Sequence, residues 1–294
     1  MTSTASFTLD ALNVATEAEF VKALGTVFEH APWVAAAAAK QRPFATVTAL
    51  HAAMCNAVAQ ADDATQTAFL NAHPELGGAA ARRSAMAELS VAEQSSLGLQ
   101  TLDQDLATKF DSLNATYRQR FAIPFIICVR RHTLASLITQ FERRVTNEPT
   151  AERTTALTEI AHITRLRLEA MVEGPGKSAQ GWLSTHVLNT ATGRPGASMS
   201  VQLFELDGPR AILRAEATTN SDGRTDAPLI PHGHLRIGQY ELRFDAGAYF
   251  AGVLPEEPPF LGIIPIRFGI AEPEAHYHVP LLVSPGAYST YRGS

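Results

Sequence analysis

The chain has 294 residues, 46% hydrophobic and 18% charged, which is apolar material for two cores of about 100–170 residues each. Its net charge of −5 argues against nucleic acid as a partner, and no run of about 18 apolar residues offers a membrane span. Two cysteines, Cys55 and Cys128, cannot build a disulfide framework and read as core thiols. The opening "MTSTASFTLDALN" lacks the basic-then-apolar layout of a secretory signal, and the chain does not end in the peroxisomal Ser-Lys-Leu. A cytoplasmic protein is expected.

Up to about residue 173 the texture is Ala-rich with helical spacing. "TEAEFVKALGTVFEH" opens with Thr16 and has Glu19 three places on, a capping box, and puts Phe20, Leu24, Val27 and Phe28 on one face. "TVTALHAAMCNAVAQA" and "DDATQTAFLNAH" follow, each with Thr or Asp at its start. Leu102 to Phe121 carries Leu102, Leu106, Phe110, Leu113 and Tyr117 at helical intervals, and Thr150 to Val172 is a further amphipathic helix. Between them "PFIICV" is short and β-branched, either a buried connector or the start of a helix. The expectation is an all-α domain over 1–173 and a flexible hinge, "GPGKSAQG", over 174–181. The hinge contains Gly-Lys-Ser, but Met171 stands where a phosphate loop needs its first glycine.

After the hinge the period changes to two. "WLSTHVLN", "MSVQLFELD", "AILRAEATTN", "QYELRFDA", "IPIRFGI" and "HYHVPLLVS" read as strands, separated by Gly and Pro clusters. Roughly six to eight short strands predict an all-β sandwich over 182–294.

The chain has ten histidines, four of them in two i, i+2 pairs, His232/His234 and His276/His278. On a strand, such a pair points to one face. Zinc is the first thought, but no acidic or cysteine ligand stands at a fitting interval, so no metal is expected. Locally, His276/His278 reads as a strand-edge pair and "PHGH" as a polar loop. In the first half, His73 precedes Pro74 and so sits at a helix exit, in a loop free to face a cleft. Ser90 and Glu93 make a second capping box on local grounds.

"LSTHVLNTATGRPG" (183–196), "TNSDGRTD" (219–226), "HYHVPLL" (276–282) and terminal "YRGS" (291–294) together resemble the 5-hydroxyisourate hydrolases, the transthyretin-like enzymes of purine breakdown. The resemblance implies that His186, Arg224 and His278 are catalytic and that His276, Tyr291, Arg292, Gly293 and Ser294 contact substrate. It also implies a tetramer with sites at subunit contacts. Transthyretin, the hormone carrier of the same fold, lacks the terminal quartet, so the quartet favours an enzyme. The residue types suit the chemistry: two imidazoles divide base and acid work, and a guanidinium holds a developing oxyanion.

"HAPWVAAAAAKQRPF" (30–44), "NAHPELGG" (71–78), "LSVAEQSSLGL" (89–99) and "YRQRFAIPFIICVR" (117–130) resemble the OHCU decarboxylases, which act on 2-oxo-4-hydroxy-4-carboxy-5-ureidoimidazoline. That family is all-helical and uses no cofactor. The resemblance implies His73 as the acid and Glu93 as its carboxylate partner. Pro74, Ser90, Gln94, Phe125, Ile126, Ile127, Cys128, Val129 and Arg130 then bind substrate, with Arg130 gripping a carboxylate or ureido oxygen. One departure is "FAIPF", where Phe-Gly-Phe-Pro-Phe is the expected form; Ala122 and Ile123 change packing without removing a polar group.

The two resemblances fit one another. Hydrolysis of 5-hydroxyisourate yields OHCU, so the pair implies a bifunctional, homo-oligomeric enzyme of urate degradation acting on small molecules, hydrolase first. The readings from other classes are a transthyretin-like carrier with a helical interaction module, and a chain with one live domain. The set His186, Arg224, His278 and Tyr291–Ser294 discriminates, since a carrier does not need two proton-transfer groups and a guanidinium around one pocket.

Overall fold

The computed structural model describes residues 7–77, 93, 97, 99, 102–253 and 258–293. The chain forms two compact units. One runs through Arg130 and includes Leu137–Ser178; the other takes Arg131–Ser136 and the chain from Ala179 on.

The first unit is helical: α1 (Leu9–Val14), α2 (Glu17–Leu24), α3 (Pro32–Ala39), α4 (Val47–Ala59), α5 (Asp63–Asn71), α6 (Gln104–Phe121), α7 (Leu134–Arg144) and α8 (Pro149–Met171). Helix starts follow the polar caps. Thr16 and Glu19 form the expected reciprocal box on α2, and Thr46, Asp62 and Asp103 accept backbone N–H groups at the heads of α4, α5 and α6. Helix α6 ends on Ala122 in the left-handed region at φ 55°, a conformation that favours glycine, the residue that the resemblance implies at this position. Two short strands missed by the periodicity, β1 (Phe7–Thr8) and β2 (Val172–Glu173), pair in parallel.

"PFIICV" is a buried connector. Phe125 to Cys128 have no regular hydrogen bonding and run into a 3-10 turn at Val129–Arg131. A buried ion pair anchors it: Arg144 donates to Glu152 (2.6 and 2.9 Å) and to the Ile126 carbonyl (2.9 Å), with its guanidinium over the Phe125 ring. The Tyr117 hydroxyl donates to the same carboxylate, and Phe125 stacks on Phe141 at 3.7 Å. The stretch expected as a hinge is tied down as far as Ser178. Val47 N–H donates to the Pro175 carbonyl (2.9 Å), and Ser178 N–H to Glu169 (2.9 Å). These hydrogen bonds hold Pro175 and Ser178 against α4 and α8.

The second unit is a sandwich. Strands β6 (Ser200–Asp207), β7 (Arg210–Thr218), β8 (Gly238–Asp245) and β9 (Ile263–Ile270) form an antiparallel sheet in the order β7-β6-β8-β9. The facing sheet has the order β12-β11-β4-β5: β4 (Val187–Asn189), β5 (Arg194–Pro195), β11 (Leu281–Ser284) and β12 (Ala287–Thr290). Val201, Leu203, Leu242, Phe244 and Ile264 from one sheet, and Val187, Leu281 and Val283 from the other, share the core. Two predicted strands are broken. "WLSTHVLN" divides into β3 (Leu183–Ser184) and β4, and "HYHVPLLVS" into β10 (Tyr277–His278) and β11, with Pro280 and its missing N–H at the second break. β5 and β12 were not expected from the alternation. A short helix, α9 (Ala246–Tyr249), follows β8. No helix among the described residues is long and apolar enough to cross a membrane.

Candidate active sites

In the helical unit, α5 ends at Asn71 and the chain turns sharply before Pro74, which delivers His73 to a cavity lined by Glu29, His73, Pro74, Glu93, Arg167 and the connector Phe125–Arg130, with Leu76 and Ile163. His73 is only 8% exposed. Its Nδ1 lies 3.0 Å from the Phe69 carbonyl, and its ring meets Phe69 edge-on at 5.1 Å. A carbonyl only accepts, so Nδ1 carries a proton and Nε2 is the nitrogen left to exchange one. Burial pushes the His73 pKa below the ordinary imidazole value; the Phe69 carbonyl and the Glu29 carboxylate pull the other way.

Glu93 is held in a two-point grip by Arg167, Nε to Oε1 at 3.0 Å and Nη2 to Oε2 at 2.7 Å. Glu29 lies 3.6 Å from the same Nη2, so two carboxylates share one guanidinium in a buried place. On the connector, the Cys128 N–H donates to Glu159 at 2.8 Å. The structure thus brings His73, Pro74, Glu93, Phe125, Ile126, Ile127, Cys128, Val129 and Arg130 to one cavity, Arg130 as an exposed residue. Ser90 and Gln94 lie outside the described residues. Sequence reading missed Arg167 and Glu29. Arg167 had a signal: it continues the inward face of α8, with Glu152, Ala156, Ile160 and Thr164, and a charge on a buried face asks for a partner.

In the β unit the predicted residues come from four short segments lying side by side. His186 bridges Arg224 on one side, the 183–187 segment pairs in parallel with 277–281, and His278 bridges Gly293 on the other. Leu183, Thr185 and Val187 point into the core, which turns Ser184 and His186 outward; Tyr277 and Val279 do the same for His276 and His278. His186, His276 and His278 are half-buried, while Arg224 and Arg292 are exposed and Tyr291 is 59% exposed.

Ser184 Oγ touches both outward histidines of the pair, His276 Nε2 at 2.8 Å and His278 Nδ1 at 2.9 Å. Burial lowers the His278 pKa, and the charges of Arg224, His276 and His186 lower it further. Gly223 sits at φ +72°, and a Cβ there would stand 2.3 Å from the Val187 carbonyl, so Asp-Gly-Arg needs its glycine to set Arg224 beside His186. A Cβ at Gly293 would lie 2.6 Å from His278 Cδ2; the glycine of the quartet lets the chain end close on the imidazole. Arg292 lies over the Tyr277 ring at 4.6 Å. Ser294 lies outside the described residues. Ser184 was missed because only the strand pairing sets it opposite His278. Among the described residues no group of three or more His, Cys, Asp or Glu side chains is placed to hold a metal ion.

Fold and sites define a fusion of a helical carboxylate–imidazole cavity with a histidine-faced sandwich, and the families agree. Residues 13–169 match the OHCU decarboxylase family and 183–293 the HIUase/transthyretin family. The chain belongs to the OHCU decarboxylase family over its first half and to the HIUase/transthyretin family over its second. It is 52% identical over 119 residues to 5-hydroxyisourate hydrolase 2 of Rhizobium meliloti (strain 1021), covering 40% of this chain and 99% of that protein. It is 40% identical over 161 residues to 2-oxo-4-hydroxy-4-carboxy-5-ureidoimidazoline decarboxylase of Haloferax volcanii, covering 55% of this chain and 94% of that one. The whole chain is similar to the crystal structure of (S)-allantoin synthase: 36% identity, 98% of this chain and 100% of that chain, TM-score 0.56.

Proposed function

We propose that this chain is a bifunctional enzyme of urate degradation. The β unit hydrolyses 5-hydroxyisourate to OHCU, and the helical unit decarboxylates OHCU to (S)-allantoin. The observation that carries the reading is the convergence of His73 and the Glu93–Arg167 pair on one cavity walled by residues 125–130.

In the helical unit, CO₂ leaves with its bonding electrons staying on the ring, whose conjugation holds them. Neutral His73 offers Nε2 as a base, takes the proton of the substrate's 4-hydroxyl, and returns it to a ring carbon once CO₂ has gone. Approach from one face gives one enantiomer. Arg167 draws carboxylates to itself, and Glu93 and Glu29 hold it in place, while the buried connector fixes the ring plane. In the β unit, His278 activates water, His186 serves the departing nitrogen, and Arg224 faces the developing oxyanion. The family reading extends to a homo-oligomer, with tetramer contacts through the sandwich and dimer contacts through the helical unit. The protein acts on small molecules in the cytoplasm, with no nucleic acid, membrane or cofactor.

The test is spectroscopic. Freshly made 5-hydroxyisourate is added to the full chain, and its absorbance and the circular dichroism of allantoin are followed. Accelerated loss of absorbance with a one-signed dichroic product is expected. Silence in both leaves a small-ligand carrier as the better account.

A further inference from the structure

The hydrogen bonding does not stop at His278. Ser184 Oγ lies between His278 Nδ1 (2.9 Å) and His276 Nε2 (2.8 Å). A hydroxyl has one proton, so it donates to one of these nitrogens and accepts from the other. The tautomers of the two histidines are therefore linked. We propose that Ser184 and His276 form a proton relay behind His278, so that the base of ring opening is the chain His278–Ser184–His276. This rests on the hydrolase reading of the β unit.

The geometry is built to last. Ser184 is the direct partner of His278 in the parallel β3–β10 pair. Its carbonyl accepts from Val279 N–H at 3.0 Å, and Thr185 Oγ1 donates to the Val279 carbonyl at 2.7 Å. The far end of the chain is backed as well. His276 stacks on the Trp182 indole with centroids 4.1 Å apart and planes 15° from parallel, and His232 lies against the same indole at 4.3 Å. The groups facing His278 are Arg224, His186 and His276; His232 faces His276. A proton taken up at His278 meets three neighbours of its own sign. At His276 it meets the π-face of Trp182, which favours a cation and offsets the burial and the His232 charge that lower the His276 pKa.

The step balances. The oxygen of water bonds to the ring carbonyl carbon as its proton passes to His278 Nε2. The Nδ1 proton of His278 passes to Ser184 Oγ, and the Ser184 proton passes to His276 Nε2, which becomes imidazolium. As the C–N bond breaks and its electron pair goes to nitrogen, His186 supplies the proton to that nitrogen; the same chain then runs backwards, His278 Nε2 releases the stored proton to solvent, and His186 takes one back from solvent. Ser184 and His276 are positioning residues, since neither need touch the substrate.

The full chain with ¹⁵N-labelled histidine is examined without substrate by multiple-bond NMR, which reads the proton on each ring nitrogen. Ser184→Ala is expected to change the Nδ1/Nε2 balance of both His276 and His278. It is also expected to lower kcat for 5-hydroxyisourate by about tenfold or more with KM little changed, and to displace the rise of kcat with pH. Ser184→Thr, which keeps the hydroxyl, restores both signals. His276→Phe, which keeps a ring on Trp182 without a nitrogen, shares the kinetic loss. A Ser184→Ala pH profile that superimposes on the wild type, with unaltered tautomers, overturns the relay. Failure of the wild type to open 5-hydroxyisourate overturns the hydrolase reading instead, and the substrate-free tautomers still decide whether the chain of hydrogen bonds exists.

Discussion

The helical unit keeps its polar chemistry inside, and the β unit wears it on the surface. Arg167 and Glu29 are 5% and 4% exposed, and His73 is buried beside them. Arg224, Tyr291 and Arg292 are exposed, and the charges the sandwich does bury, Glu205 and Glu241, pair with arginines away from them. A buried charge must be paired, so the first site is bound up with the stability of its unit. A surface site is built by strand order alone and can be altered with little cost to folding.

The largest expected break in that comparison is Arg167→Ala. It strands two carboxylates in a buried place, and a loss of about 3–5 kcal/mol on urea unfolding is expected, together with OHCU decarboxylation. Unfolding unchanged from wild type would mean that depth does not couple site to stability. His73→Ala comes next, with a decarboxylation rate at least ~10²-fold lower and ring opening untouched. Wild-type turnover in that variant excludes His73 from proton transfer. Deleting Arg292–Ser294 is the surface counterpart: ring opening falls about tenfold or more while the melting temperature hardly moves. Undiminished turnover would remove the quartet from the site.

Depth also predicts acid sensitivity. Burial pushes the His51 pKa down to about 4, aided by Arg165 and opposed by Glu169. The unfolded chain binds that proton near pH 6.5 and the folded one only near 4, so stability is full above 6.5 and falls as pH drops through this window. About 1–2 kcal/mol should be lost between pH 7 and 5. His51→Gln should flatten that slope in urea titrations at the two pH values; an unchanged slope would place the sensitivity elsewhere. The smallest effect is Ala122→Gly, which relieves the left-handed C-cap of α6 and should add about 1 kcal/mol in the same assay.

Sequence and structure agree most closely where the signal is local. The Thr16–Glu19 box, the caps at Thr46 and Asp62 and the alternation along β6 and β8 are each written in a few adjacent residues. The motifs around His73 and His278 were legible because they are contiguous. Arg167 was only half legible, as a charge on the inward face of α8 whose partners, Glu29 and Glu93, lie far away in the chain. Ser184 was silent, one serine among many until β3 lies beside β10.

The sequence by itself determined the two textures, their order, the helix starts and which residue types each half has for proton transfer. These follow from periodicity and capping, which act over a turn of helix or a pair of strand positions. Tertiary structure alone decided that Glu29 and Glu93 share one guanidinium, and that Ser184 links two imidazoles. It also anchored Pro175 and Ser178, because a hydrogen bond or ion pair between distant segments exists only once the backbone has brought its ends within about 3 Å.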